Sequence, residues 1–175
     1  RLLCGGMAAR VPAAERSRLA GLQRSIGEEF AQAAAEGTEA SVGDYFGWLM
    51  ERERIRAAWR KFFLDWDILL APATLVPAFA HTELADPLMV SAENATVLVN
   101  GKPERYVIQL FPPSLATLAG QPATAFPIGL SQGGLPLALQ AIGPYLEDRT
   151  PLRFTALLAK EIGGFVAPPG YAERA

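Results

Sequence analysis

Apolar residues in the first third of the chain recur at helical intervals. In "PAAERSRLAGLQRSIGEEFAQAAAEG", Leu19, Leu22, Ile26, Phe30 and Ala33 stand three or four positions apart, which predicts one amphipathic helix. Pro12 suits its first turn and Gly37 its end. A longer helix is predicted in "SVGDYFGWLMERERIRAAWRKFFLDW", where Ser41 and Asp44 have the spacing of a capping box. Its buried face is marked by Tyr45, Trp48, Leu49, Ile55, Trp59, Phe62, Phe63 and Trp66. The polar face carries Glu51, Arg52, Glu53, Arg54 and Arg56, the mixed signs of a solvated surface.

After Trp66 the period changes. Ile68, Leu69 and Leu70 in "DILLAPATLVPAF" read as a short strand buried on both faces, stopped by Pro72. Residues 77 to 105 are irregular, with a hairpin in "NATVLVNGKPERY" around Asn100-Gly101. "PSLATLAG" predicts a short helix capped by Ser114 and ended by Gly120. "ATAFPIG" and "LPLALQAIG" are two strands joined by a turn over residues 131–134. "EDRTPLRFTALLAKEIGG" closes as a helix, with Asp148 or Thr150 at its start, Pro151 in its first turn and Gly163-Gly164 at its end. The order of elements predicts an α/β layer architecture, a mixed β-sheet covered by helices.

No Asp, Glu, Lys or Arg occurs from Tyr106 to Leu146, although the chain is 19% charged. A membrane helix needs about 20 apolar residues in sequence. Here six prolines interrupt the run, and each interior proline costs a helix roughly 3 kcal/mol. Burial within a soluble protein is the remaining explanation. Half of the 175 residues are hydrophobic, enough for a sizeable core, and the net charge of −2 lacks the clustered basic surface of a nucleic-acid binder. Cys4 is the lone cysteine, which excludes an internal disulfide and fits a cytoplasmic setting. The chain opens on Arg1 without an initiator Met, which leads us to expect part of a larger polypeptide.

Residue chemistry alone offers no convincing active site. His81 is the single histidine, and there is neither a G-x-S-x-G elbow for a Ser-His-Asp triad nor a local carboxylate set for a metal. Cys4 has no base beside it, and the glycine pairs fit neither a P-loop nor a dinucleotide fingerprint. Lys61, Lys102 and Lys160 lie outside any Ser- or Gly-rich context. Gln140 is a polar residue in an apolar strand and requires hydrogen-bond partners if buried.

Three motifs, in order over roughly residues 40 to 165, carry a resemblance. "FFLDWDILLAPATLVPAF" resembles the aromatic helix end, Asp-hydrophobic strand and Pro-Thr segment of amidase-signature enzymes. "LATLAGQPATAFPIG" resembles that family's small-residue helix, Gly-x-Pro-Ala and strand ending in Pro-x-Gly. "GGLPLALQAIGPYLED" is similar to its Gly-Leu-Pro strand with an internal Gln. The resemblance implies amide-bond hydrolysis by a Ser–cis-Ser–Lys triad, in which a lysine of lowered pKa acts through a bridging serine and backbone N–H groups hold the oxyanion.

The Gly/Ser-rich signature and catalytic lysine of that family have no counterpart here. Ser17, Ser25, Ser41, Ser91, Ser114 and Ser131 all lack the context, so no catalytic residue is assigned. The resemblance therefore implies the C-terminal part of a larger amidase domain, with residues 1–175 as a single α/β region, inactive alone. It implies pocket-wall positions at Pro72 and Thr74 and, approaching the small-residue helix, at Phe111 and Thr117. Thr117 departs from the family, which often has Asn there. The expected partners are a small-molecule amide substrate and the N-terminal part of the same enzyme or a homo-oligomer, with no nucleic acid, membrane, metal or cofactor. Two other readings are a non-catalytic interaction or assembly module with the same half-fold, and an unrelated α/β domain, which non-adjacent strands at 67–71, 123–129 and 135–142 would favour.

Overall fold

The structure, a computed structural model, describes residues 1–81, 95–168 and 170–171. It divides into two compact units, one of residues 1–55 and 81–107, the other of residues 56–80 and 108–175. Residues 82–94, within the stretch expected to be irregular and including Ser91, lie outside the described residues.

In the first unit, the helix expected over residues 12–37 is two helices, α2 (Ala13–Ser25) and α3 (Glu29–Thr38), preceded by a short α1 (Leu2–Ala8). Gly27 makes the break, because its φ of +78° is left-handed and ends α2, although the apolar repeat continues across it. Pro12 occupies the N-cap of α2, and its carbonyl accepts from the Arg16 N–H at 3.0 Å. Gly37 does not stop α3; it lies inside it, where a Cβ would come within 2.9 Å of Arg1 Cα and of Cys4 Cβ. The glycine is there to let α1 approach. α3 packs against both α1 and α2 and buries Ala31, Ala34 and Ala35.

The longest helix, α4 (Val42–Phe62), begins in the first unit and ends in the second. Its capping box is present. Asp44 N–H donates to Ser41 Oγ at 3.1 Å, while the Ser41 hydroxyl and N–H donate to Asp44 Oδ2 at 2.6 and 3.0 Å. The predicted buried face is only half-buried. Tyr45, Trp48, Leu49, Ile55, Trp59, Phe62 and Phe63 are intermediate, Trp66 is exposed, and Val42, Phe46 and Met50 form an exposed row. The hairpin is β2 (Thr96–Val99) and β3 (Lys102–Arg105), with Asn100 and Gly101 at φ +52° and +77°. Positive φ at both positions is what a type I′ turn demands.

The second unit holds a three-stranded sheet in the order β1 (Leu69–Pro72), β5 (Pro136–Ile142), β4 (Ala123–Leu130), all antiparallel. The α/β class expected from the pattern is the one adopted, and the adjacent strands remove the reading of an unrelated domain. β1 is not buried on both faces, since Leu70 is 47% exposed on a strand at the sheet's edge. Pro127 sits on the edge strand beside a register shift, and Pro136 opens β5, both places where a missing N–H is tolerated.

Helix α5 (Phe111–Thr117) starts earlier than expected, with Pro112 and Pro113 in its first turn. Ser114 is not its cap, because its hydroxyl donates back to Phe111 O at 2.7 Å. Gly120, at φ +74°, ends the turn that follows. Ala71, Ala116 and Ile142 form the centre of this unit's core, with Phe63, Leu69 and Leu115 packed around them. On the opposite sheet face, α6 (Arg149–Ile162) packs on β4 and β5 and buries Pro151 and Thr155. Asp148 takes its N-cap position without a side-chain capping bond, and Gly163, at φ +84°, follows its end.

Arg56 departs from its expected place on a solvated face. Its Nε donates to Ala119 O at 2.7 Å, and its guanidinium lies over the Tyr145 ring, 4.6 Å from the centroid. Alanine supplies two thirds of the buried hydrophobic core residues among those described.

Candidate functional site

The register of the sheet aligns Ala71, Gln140 and Ala125 across β1, β5 and β4, with Leu69, Ile142 and Ala123 in the next row of the same face. Helix α5 packs on that face through Ala116. Because both layers present small side chains there, a cavity of about 400 Å³ remains beside the core. It is walled by Ala73, Pro113, Ala116, Thr117, Gln121, Ala123, Ala125 and Gln140.

Three side chains bring polarity to this apolar space. Thr117 Oγ1 is satisfied, donating to Pro113 O at 3.0 Å. Gln140 is buried, and its Nε2 donates to Pro72 O at 3.0 Å and Pro112 O at 2.7 Å, tying β5 to the end of β1 and to α5. Gln121 is buried as well, yet neither its Nε2 nor its Oε1 has a partner. The cavity can bind and orient a molecule through amide and apolar contacts. No titratable side chain lines it, so its walls offer no group to carry a proton.

Of the pocket residues expected from sequence, Thr117 lines this cavity. Pro72 and Thr74 flank the lining residue Ala73; the Pro72 carbonyl accepts from Gln140, and Thr74 Oγ1 donates to Val76 O at 2.9 Å. Phe111 stands at the first position of α5 and is 60% exposed. Gln121 was missed by sequence reasoning, which read Gly120 as the end of the short helix and passed over the residue after it. A long polar side chain between a helix-ending glycine and a strand-opening proline, in a charge-free run, was the available signal.

The carboxyls driven low lie elsewhere, in the first unit. Glu15 is lowered by its hydrogen bond from Arg18, Glu39 by that from Arg24, and Asp44 by that from Ser41. His81 is exposed. Among the described residues no group of three or more His, Cys, Asp or Glu side chains could hold a metal, and no helix is long and apolar enough to cross a membrane.

The amidase family model matches residues 13–152. A glutamyl-tRNA(Gln) amidotransferase subunit from Archaeoglobus fulgidus is 31% identical over 144 residues, covering 79% of this chain and 28% of that protein. Its counterpart from Zymomonas mobilis is 33% identical over 150 residues, covering 82% of this chain and 27% of that protein. The structure resembles that of the Thermotoga maritima counterpart, with a TM-score of 0.53 and 27% identity over 91% of this chain and 31% of that one. It also resembles a crystal structure of an amidase, with a TM-score of 0.55 and 25% identity over 80% and 31%. The chain thus spans less than a third of the length of these relatives. With most of its residues matched by the family model, and with its three motifs folded into one adjoining sheet, the chain belongs to the amidase family.

Proposed function

We propose that this chain is one part of an amide-hydrolysing enzyme of the amidase-signature type, supplying sheet core and a wall of the substrate pocket. The observation that carries this reading is the family match over residues 13–152, together with relatives of whose length this chain covers less than a third. Residues 1–175 then belong to a larger amidase domain, and the Ser–cis-Ser–Lys triad stands on the polypeptide that the relatives have in addition. Pro72, Thr74, Phe111 and Thr117 form the wall that faces a small-molecule amide. The lone cysteine supports a cytoplasmic location. No cofactor is needed, because the triad's serine and lysine complete the acyl transfer.

An amidase assay tests this. The purified 175 residues should show no turnover. Co-produced with the complementary polypeptide of the Archaeoglobus fulgidus relative, that is, the relative without the stretch matched here, they should restore hydrolysis of a simple amide. Hydrolysis by the 175 residues alone would overturn the division of labour.

A further inference from the structure

Among the described residues the β2–β3 hairpin is a two-stranded sheet of its own, and a lone pair of strands is marginally stable. Val99 and Lys102 are the last pair of its ladder, which leaves Asn100 and Gly101 as a two-residue loop. Both loop residues are exposed. No hydrogen bond among the described residues holds the Asn100 carboxamide. The Gly101 N–H lies outside the ladder, and a Cβ on Gly101 would meet no atom within 4 Å. An unhindered main-chain nitrogen thus follows an untethered, solvated asparagine side chain.

An asparagine carboxamide is an electrophile, and the next main-chain nitrogen can reach it by closing a five-membered ring. Closure requires the Gly101 nitrogen to lie on the same side of the Asn100 Cα–C bond as the Asn100 Cβ. A type I′ turn holds ψ of its first loop residue at about +30°, which puts that nitrogen almost opposite the Cβ. The closed turn therefore blocks the reaction, and its opening permits it. The sequence has one other asparagine, Asn94, which precedes Ala95, and a Cβ on the attacking residue hinders ring closure.

We propose that Asn100 is a site of spontaneous deamidation gated by its own hairpin, with water as the co-reactant. When the turn opens, the Gly101 nitrogen gives up its proton and bonds to Asn100 Cγ. The carboxamide C–N bond breaks and ammonia leaves. Water then opens the succinimide at either carbonyl. Attack at Cγ gives aspartate, and attack at the main-chain carbon gives isoaspartate, in which the chain runs through the former side chain. No atom is oxidised or reduced. The two products differ in consequence. Asp-Gly suits a type I′ turn as Asn-Gly does, so the hairpin re-forms. Isoaspartate lengthens the main chain by one carbon inside the two-residue loop, and the register that the turn sets is lost. That register pairs Thr96 with Arg105, lets Tyr106 N–H donate to Ala95 O at 2.8 Å, and sets Arg105 against Glu28 at the start of α3. The isoaspartate product thus loosens the tie between the hairpin and α3.

Storage of the purified chain in warm neutral buffer, with and without urea, followed by peptide mapping, provides the test. Aspartate and isoaspartate should both accumulate at position 100. Conversion there should be about ten- to a hundredfold faster in urea than in the folded chain, because the turn no longer has to open. In urea Asn94 should react at least about tenfold more slowly than Asn100, and Gly101→Ala should bring Asn100 down to the Asn94 rate. Urea makes the fold of that variant irrelevant. The Tyr106 amide should exchange at least about tenfold faster in the isolated isoaspartate form than in Asn100→Asp, which carries the same charge on an ordinary main chain. A folded chain free of product at position 100 after about a hundred times the half-life in urea would overturn the site. Equal rates with and without urea would overturn the gate, and equal exchange of Tyr106 in the two forms would overturn the loss of register.

Discussion

Gln140 occupies the middle of β5 with its Nε2 shared between the carbonyls of Pro72 and Pro112. Its need for partners was legible in the sequence, because a carboxamide cannot be buried in an apolar strand without them. Gln140→Leu keeps the volume but leaves two carbonyls without their donor, and should cost about 1–3 kcal/mol, read as a lower urea midpoint. Arg56 was not legible, since a guanidinium among alternating charges reads as solvated until the fold brings Ala119 O and the Tyr145 ring beside it. Arg56→Lys preserves the charge yet loses the planar Nε donor and the stacked face. It should destabilise by about 1–2 kcal/mol in thermal melts, where a purely solvated residue would tolerate the change.

At the scale of elements, the start of α4 is the clearest titratable feature. The Asp44 carboxyl is held below the ordinary aspartate range, first by the hydrogen bond from the Ser41 hydroxyl and then by that from its N–H. A folded-state value below the unfolded one means that the stabilisation is complete above the unfolded pKa and is lost as pH falls through the folded one. Helicity should therefore decline on acidification below the usual aspartate range, and Asp44→Asn should flatten that contribution in a circular-dichroism titration. Ser41→Ala should cost about 1 kcal/mol at neutral pH. This cap and the Asn100-Gly101 turn were readable because each depends on residues adjacent in sequence. The break at Gly27 was hidden, since Leu22, Ile26 and Phe30 keep helical spacing across it. Gly37 misled for a different reason: its role is set by Arg1 and Cys4, which approach it only once α1 and α3 pack.

At the scale of the molecule, the sequence pattern placed the three strands in one sheet, yet it overstated burial. Large apolar side chains such as Val42, Leu64, Trp66 and Leu130 are exposed, while alanine dominates the interior. That distribution has a calorimetric consequence. Heat capacity rises on unfolding as apolar surface meets water, ordinarily by about 12–15 cal/mol/K per residue. A chain that already wets its large side chains has less to expose, and we expect an increment below about 10 cal/mol/K per residue, taken from the slope of unfolding enthalpy against midpoint temperature. Its denaturant dependence should be shallow for the same reason. An increment in the ordinary range would mean that those side chains are covered in solution. The alanine-rich interior thereby implies a flat curve of stability against temperature, with little to lose on cooling.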